Sequence, residues 1–256
     1  MNASLFFDLH TWMLGASLGY VRLAPIFFIL PFFNTTVLTG PTRHTVIMII
    51  AMGFWPVPMD AMANIETLPY IIAIGRELFI GLIMACLIAW PFWIFHAVGN
   101  FIDNQRGATL SSTIDPSNGV DTSELANFFN IFAAAIYLQG GGMLLFAQAI
   151  NNSYRLCDPL QGCNFSSLPI MSILVDLMTK AIVVASPVIT IMLLSEFTLG
   201  LLSRFAPQLN AFSVSLTIKS FMAMLTLLIY FGPIFPDEIM QLTAKSSQLS
   251  YWFRGK

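Results

Sequence analysis

Long apolar runs dominate the chain, and short stretches with polar residues, proline or glycine separate them. Each run is continuously hydrophobic and lacks the apolar–polar alternation of strands in a membrane barrel. Lipid offers the backbone no hydrogen-bonding partner, so each run is predicted to be helical. We predict about six spans, at residues 9–33, 44–58, 68–100, 125–150, 169–203 and 212–232.

Two of the predicted spans are longer than a membrane requires. As a helix, residues 68–100 would extend about 50 Å, whereas the hydrocarbon core of a bilayer is about 30 Å thick. Residues 169–203 have the same excess, and the two spans contain Pro91 and Pro187, respectively. Because proline breaks or kinks a helix, we predict two long segments broken into hairpin-like pieces. The alternative is a tilted helix with an ordinary kink.

Composition agrees with a membrane protein. Of the 256 residues, 57% are hydrophobic and 9% are charged, and the mean hydropathy is +0.77. A soluble domain carries about 25% charged residues. The predicted fold class is therefore an all-α, integral membrane-associated protein. The formal net charge of −2 gives no support to nucleic-acid binding, which needs a basic face, so we expect no nucleic-acid partner.

The most polar stretch is DNQRGATLSSTIDPSNGVDTSE, residues 103–124, between the third and fourth spans. Composition alone favours a turn between two membrane helices. The stretch contains glycines that allow movement and few apolar side chains, so it also suits a wet environment.

Charged residues inside the apolar spans are candidates for function. They are Arg22, Arg76, Glu77, Asp176, Lys180, Glu196 and Lys219. An unpaired charge at the bilayer centre costs about 2.5–3.5 kcal/mol, so these side chains should face protein or water. They could hold helices together, serve assembly with other charged subunits, or form a proton or ion path.

Sequence spacing suggests partners for some of these charges. Asp176 and Lys180 are four residues apart and can pair on one helical face. Arg76 and its neighbour Glu77 point in different directions, so each needs a partner from elsewhere. Glu196 and Lys219, on neighbouring spans, are candidates for such pairing.

The segment SRFAPQLNAF, residues 203–212, closes the fifth span with more polar groups than a turn needs. Proline ends the helix, and the arginine and amide side chains can donate or accept hydrogen bonds. This combination predicts an interface or a lined polar cavity. Its polar and turn-forming residues are Arg204, Pro207, Gln208 and Asn210.

Patterns of catalytic and metal-binding residues are missing. His10, His44 and His96 have no second histidine, cysteine or carboxylate at metal-ligand spacing. The chain also lacks the nucleophile-elbow and phosphate-loop motifs. We therefore expect no enzymatic activity, no catalytic residue, no cofactor and no metal.

Two cysteines occur close together in the segment CDPLQGC. Cys157 and Cys163 could form a disulfide if this segment faces an oxidising compartment. Two free thiols are the alternative. A loop this short would gain modest stability from closure.

Four motifs together resemble the T-subunit family of the bacterial type III secretion export apparatus. The segment LSEFTLGLLSRFAPQLNAF (194–212) is similar to the family's most specific stretch. The others are RLAPIFFILPFF (22–33), GRELFIGLIMA (75–85) and DNQRGATLSSTIDPSNG (103–119). The resemblance runs from end to end of the chain. The segment CDPLQGC is outside the family pattern and suggests an injectisome member rather than a flagellar one.

The resemblance implies a single export-gate membrane domain over residues 1–256, with a basic C-terminal tail at 237–256. In this family, R-type and S-type subunits assemble with one T subunit into a gate in the inner membrane that projects toward the periplasm. The implied partners also include the U-type switch protein, the V-type export ring, rod or needle adaptor subunits, unfolded secreted polypeptides and membrane lipid.

The resemblance also implies that loop 107–124 plugs the pore. The corresponding residues are Gly107, Ala108, Thr109, Leu110, Ser111, Ser112, Ile114, Asp115, Pro116, Ser117, Asn118 and Gly119. Two alternatives remain open from the residues themselves. A stand-alone secondary transporter would also use broken helices and intramembrane charges. A purely structural anchor would make no contact with a pore.

Overall fold

The computed structural model describes residues 2–33, 38–58, 66–108, 123–160, 170–205 and 211–247. The secondary-structure elements in these ranges are helices, which confirms the predicted all-α class. A short 3-10 helix, Pro31–Phe33, follows the first α-helix. The α-helices are α1 (Asn2–Ile29), α2 (Gly40–Phe54), α3 (Thr67–Arg106), α4 (Glu124–Gln139), α5 (Gly142–Leu156), α6 (Ile170–Phe205) and α7 (Ala211–Ser247).

Four of the described helices are long and apolar enough to cross a membrane, and the bent pair α4–α5 is a fifth candidate. The prediction of about six spans is therefore approximate. The difference arises at α2, whose 15 residues extend about 22 Å, less than the thickness of a hydrocarbon core. The four candidate segments are His10–Ile29, Thr67–Arg106, Leu174–Phe205 and Val214–Ala244.

The sequence predicts that the two over-long spans break at their prolines into hairpin-like pieces. In the structure these spans are α3 and α6, and both helices continue through the proline. Pro91 lies inside the 40-residue α3, and Pro187 lies inside the 36-residue α6. A proline at position 187 removes the amide donor for the carbonyl of Val183. The Ser186 hydroxyl donates to that same carbonyl at 2.8 Å, so the loss is compensated within the helix.

The chain breaks instead at glycine, inside the predicted fourth span. Helix α4 ends at Gln139 and α5 begins at Gly142. Gly141 has φ +82°, a left-handed conformation that side-chain-bearing residues rarely adopt. The glycine run thus separates two helices.

The chain forms two compact units, each assembled from several stretches of sequence. The first unit contains Met1–Trp90, Gly141–Pro169 and Thr243–Lys256, and the second contains Pro91–Gly140 and Ile170–Leu242. Each stretch of the first unit begins or ends within a helix or at a helix break. The organisation as one membrane domain with a C-terminal tail stays a prediction.

Aromatic packing forms much of the core in both units. In the first unit, the rings of Phe27 and Phe33 stack with centroids 4.1 Å apart. In the second unit, Phe235 lies 5.1 Å from Phe129 and 5.4 Å from Phe95, measured between ring centroids. Such contacts bury large apolar areas and fix the orientation of neighbouring helices.

Candidate functional site

Helices α1 and α3 approach closely at Arg22 and Gly81. A methyl group placed at Gly81 would lie 2.9 Å from the carbonyl carbon of Arg22, so the crossing requires a residue without a side chain. Glu77 is four residues before Gly81 and therefore lies on the same face of α3. The spacing of glutamate and glycine thus brings a carboxylate to Arg22.

The Arg22 guanidinium forms a buried ion pair with Glu77. Its Nε donates to Glu77 Oε2, and its Nη2 donates to Glu77 Oε1 at 2.8 Å. Both side chains are almost completely buried, at 1% and 0% exposure. Two parallel hydrogen bonds are the geometry that arginine and a carboxylate prefer, and they make the pair specific.

Helix α5 and the residue after it complete the surroundings of Arg22. Arg22 Nη2 donates to the carbonyl of Cys157 at 3.0 Å, and Arg22 Nη1 lies 3.4 Å from Ser153 Oγ. The guanidinium carbon also lies 4.1 Å from the centre of the Tyr154 ring, a cation–π contact. Arg22 therefore joins α1, α3 and α5, which is the structural role that the sequence left open.

Arg76, next to Glu77, holds the segment after α5. One of its terminal nitrogens donates to the carbonyl of Pro159. Its Nε is buried and has no hydrogen-bond partner among the described residues. The sequence predicts that Arg76 and Glu77 each need a partner from elsewhere in the chain. The partner of Glu77 is Arg22 on α1, and the partner of Arg76 is the Pro159 carbonyl after α5. Neither of them pairs with Glu196 or Lys219.

Glu196 and Lys219 pair with each other, across α6 and α7 of the second unit. Lys219 Nζ lies 2.8 Å from Glu196 Oε2. The lysine side chain is 9% exposed, whereas the glutamate side chain is 49% exposed. The carboxylate therefore keeps an accessible edge on a helix whose neighbouring surface is apolar.

For the other polar residues predicted from the sequence, the structure shows the exposure or burial of those that it describes. Asp176 and Lys180 are half-buried on α6, and their pairing stays a prediction. Arg204 lies exposed in the last turn of α6. Pro207, Gln208 and Asn210 lie outside the described residues.

A carboxylate that the sequence analysis did not single out, Asp103, joins the two ends of the polar loop. Its Oδ2 accepts hydrogen bonds from Ser123 Oγ at 2.6 Å and from the Leu125 amide at 3.0 Å. Its Oδ1 accepts from Arg106 Nε at 2.7 Å. Ser123 also caps α4 by accepting from the Ala126 amide at 3.0 Å. We call Asp103, Arg106 and Ser123 the loop clasp.

Close helix packing accompanies the loop clasp. A methyl group placed at Gly99 would lie 2.7 Å from the carbonyl carbon of Leu125. Asp103 is buried, at 1% exposure, and is four residues beyond Gly99 on the same face of α3. The pairing of a glycine with an acidic residue one turn away therefore occurs twice along α3.

Few of the predicted plug residues belong to the described chain. Gly107 follows α3 with φ +77°, the left-handed conformation that ends many helices. Ala108 is the last described residue before the loop. Residues Thr109, Leu110, Ser111, Ser112, Ile114, Asp115, Pro116, Ser117, Asn118 and Gly119 lie outside the described ranges.

The sequence analysis did not include a second buried arginine, Arg43, among the candidate functional residues. Arg43 on α2 is 4% exposed, and its guanidinium carbon lies 4.9 Å from the centre of the Phe28 ring. The sequence signal was its position at the start of an apolar span, where a cation needs a partner. The Phe28 ring supplies part of it by a cation–π contact.

The cysteines differ in state. Cys86 on α3 is a free thiol. Cys157 is buried and disulfide-bonded, and Cys163 lies outside the described residues. The predicted bond between Cys157 and Cys163 stays a prediction.

Within the described part of the chain, no group of three or more histidine, cysteine or acidic side chains could hold a metal ion. The clustered polar groups are ion pairs and helix caps, which join helices. This arrangement can fix helices and loop ends in place.

Comparison with known proteins identifies the family. The family model described as "Bacterial export proteins, family 1" matches residues 13–245. The chain is 48% identical to the Salmonella typhimurium "Surface presentation of antigens protein SpaR", over 99% of this chain and 96% of that protein. It is 30% identical to the Yersinia pestis "Yop proteins translocation protein T", over 82% of each chain.

A flagellar protein is also similar. The chain is 24% identical to the "Flagellar biosynthetic protein FliR" of Buchnera aphidicola, over 85% of each chain. These similarities and the apolar helices support a role in protein export and a location in a membrane. The chain therefore belongs to family 1 of the bacterial export proteins, the T subunits of the type III secretion export apparatus.

Proposed function

We propose that the chain is a subunit of the type III export gate. Together with R-type and S-type subunits it would form a pore for unfolded secreted polypeptides at the inner membrane, projecting toward the periplasm. Loop 107–124 acts as the plug of this pore. The proposal assigns the chain a structural and gating role and no chemical reaction.

The loop clasp is the observation that carries the plug proposal. Asp103 binds both the Ser123 hydroxyl and the Leu125 amide, so the loop leaves and re-enters the helical body at one fixed place. A polar segment with a fixed base can occupy a wet channel without loosening the helices that carry it. Gly107 provides the turn at its start.

Exposed apolar surface supports assembly with partners. In the apolar stretches of α6 and α7 that could cross a membrane, 28% of the residues are buried in the chain. The corresponding value for α3 is 67%. Glu196 keeps a half-exposed carboxylate on this surface, which lipid tails would not solvate. The partners would include the R-type and S-type subunits, the U-type switch protein, the V-type ring and the rod or needle adaptors.

A stand-alone transporter gains no support from a specific feature. Two of the buried cations that it would use for coupling are bound to carboxylates. Arg22 pairs with Glu77, and Lys219 pairs with Glu196. Such pairs hold helices together at fixed geometry.

The test is deletion of residues 108–119 in the chain assembled with its partner subunits. We expect a complex of unchanged composition that leaks ions and small molecules across the membrane. The leak is measured by uptake of a membrane-impermeant dye and by single-channel conductance.

A length-matched replacement of 108–119 by glycine and serine is the control. It keeps the distance between the two ends of the loop clasp and should leak less than the deletion. An assembled deletion complex that stays as tightly sealed as the unmodified one would refute the plug role.

A further inference from the structure

One face of α3 in the first unit is exposed and apolar over four helical turns. Its residues recur at intervals of three and four, the spacing of a single helix-packing stripe. We call this face the α3 seam. It consists of Leu68, Ile71, Ile72, Gly75, Leu78, Phe79 and Leu82, whose large side chains are 47% to 69% exposed.

Gly75 lies at the centre of the α3 seam. A methyl group placed there would meet no atom within 4 Å. This glycine therefore differs from Gly81, which is required for packing inside the chain. A small residue flanked by large apolar ones forms a notch into which another helix can pack closely.

Arg76 lies beside this notch with an incomplete set of partners. It donates to the Pro159 carbonyl, and its buried Nε donates to no atom of the described chain. Arg76 takes part in none of the ion pairs Arg22–Glu77, Arg106–Asp103 and Lys219–Glu196. The neighbouring Glu77 uses both of its oxygens on Arg22.

A cavity of about 270 Å³ opens next to this guanidinium. Its walls are formed by apolar residues and by Arg76. Such a cavity suits a side chain with an apolar stem and an anionic end. The lining residues are Pro69, Ile72, Ala73, Arg76, Pro159 and Leu160.

From these observations, and resting on the proposed function, we infer that the α3 seam packs against an apolar helix of a neighbouring export-apparatus subunit. That helix carries an aspartate or glutamate whose carboxylate enters the cavity and binds Arg76. Arginine prefers a carboxylate partner with planar, bidentate geometry, and a water-poor interface strengthens the pair.

Lipid is a poorer occupant of the α3 seam. Apolar exposed residues extend about 12 Å along the helix before Arg76, to Leu68, and about 9 Å beyond it, to Leu82. If lipid covered the α3 seam, the Arg76 guanidinium would lie more than two helical turns from the start of α3 and would have to snorkel toward a headgroup phosphate, at a cost that a carboxylate partner avoids.

A second copy of the chain is also a poorer occupant. A two-fold contact places the same surface on both sides of the interface. If the two-fold axis passed through the notch at Gly75, the Arg76 side chains of the two copies would lie close together, and two like charges would be buried in one interface.

The test is site-specific photo-crosslinking in the membrane-embedded complex assembled with its partner subunits. The photoreactive residue replaces Leu78 or Leu82, and Arg76 is left unchanged. We expect adducts with a peptide of another export-apparatus subunit that contains an acidic residue within one helical turn of the crosslinked atom. Ile80, which is fully buried on the same helix, is the control position and should give adducts within the chain.

Charge exchange provides the second measurement. Arg76→Gln and Arg76→Glu should each lower the ratio of co-purified partner to chain about tenfold or more. Arg76→Glu combined with an arginine at the identified acidic position should restore that ratio, whereas Arg76→Gln combined with the same arginine should not.

Three results would overturn the inference: adducts with lipid, adducts with a second copy of the chain, or adducts with partner peptides that lack an acidic residue. If these occur while the chain still co-purifies with export-apparatus subunits, the inference fails and the proposed function stands. If the chain co-purifies with none of those subunits, both fail.

Discussion

Arg22 illustrates, at the scale of single residues, how this chain accommodates charge in an apolar setting. Both oxygens of Glu77 accept hydrogen bonds from its guanidinium, and the Cys157 carbonyl accepts another. A buried pair of this kind contributes little net stability compared with well-packed apolar side chains. Loss of one partner is costly because the remaining charge stays buried.

Glu77→Gln should therefore destabilise the first unit by about 3–5 kcal/mol, since Arg22 would keep its charge without a counter-charge. The double variant Arg22→Leu with Glu77→Leu should recover a large part of this loss. Thermal unfolding of the purified complex in mild detergent provides the measurement, as the midpoint temperature for each variant.

Glu66→Gln is the matched control, because Glu66 is exposed at the start of the same helix. Its midpoint should stay close to that of the unmodified protein. The interpretation of Arg22 and Glu77 as a buried pair would be wrong if Glu77→Gln were no more destabilising than Glu66→Gln.

The sequence identifies these residues singly and does not identify their pairing. Arg22 and Glu77 are conspicuous because they are charges within apolar spans. The two residues are 55 positions apart in sequence, and they meet because α1 and α3 cross closely at Gly81. Asp103 was grouped with the polar loop because its burial arises from packing between α3 and α4, and no local pattern encodes that packing.

Helix α6 illustrates, at the scale of elements, how a side chain can replace the hydrogen bond that a proline removes from a helix. Ser186 donates to the Val183 carbonyl, which Pro187 leaves without an amide donor. Ser186→Ala should destabilise α6 by about 1 kcal/mol. Hydrogen exchange of the amides around residue 183, measured by mass spectrometry in detergent, reports this change.

Ser203 on the same helix provides the control. It donates to the Gly200 carbonyl at 2.8 Å, away from any proline in the helix. Ser203→Ala should therefore leave local exchange nearly unchanged. If Ser186→Ala has an equal effect in chains with Pro187 and with Pro187→Ala, the compensating role of Ser186 is refuted.

Helix breaks were harder to predict than helices. Continuous hydrophobicity was sufficient to predict helical structure in every described span. The prolines at positions 91 and 187 suggested breaks, because proline usually breaks or kinks a helix. That rule does not account for a hydroxyl such as that of Ser186, which can bind the carbonyl that the proline leaves free. The break at Gly140 and Gly141 depends on a left-handed conformation, which a run of glycines permits and does not dictate.

Exposure is uneven at the scale of the whole molecule. Residues such as Leu228 and Phe205 are more than four-fifths exposed, on helices that are long enough to cross a membrane. Lipid can cover apolar side chains of this kind. It cannot replace partners for the exposed edge of Glu196 or the buried Nε of Arg76.

The chain should therefore persist in cells when its partner subunits are present and be degraded faster when they are absent. We expect its half-life, measured by pulse-chase labelling, to fall several-fold in a strain that lacks the proposed R-type and S-type partners. An unrelated monomeric membrane protein in the same strains is the control. An unchanged half-life would contradict dependence on assembly.

The surroundings of Arg22 also set an order of events during biosynthesis. Arg22 is synthesised in the first helix, but Glu77 follows 55 residues later and Ser153 follows 131 residues later. Until the ribosome has added α3, α1 carries a cation without its carboxylate. We therefore expect α1 to reach its final depth together with α3, as a charge-neutral pair, and the surroundings of Arg22 to be completed when α5 is inserted.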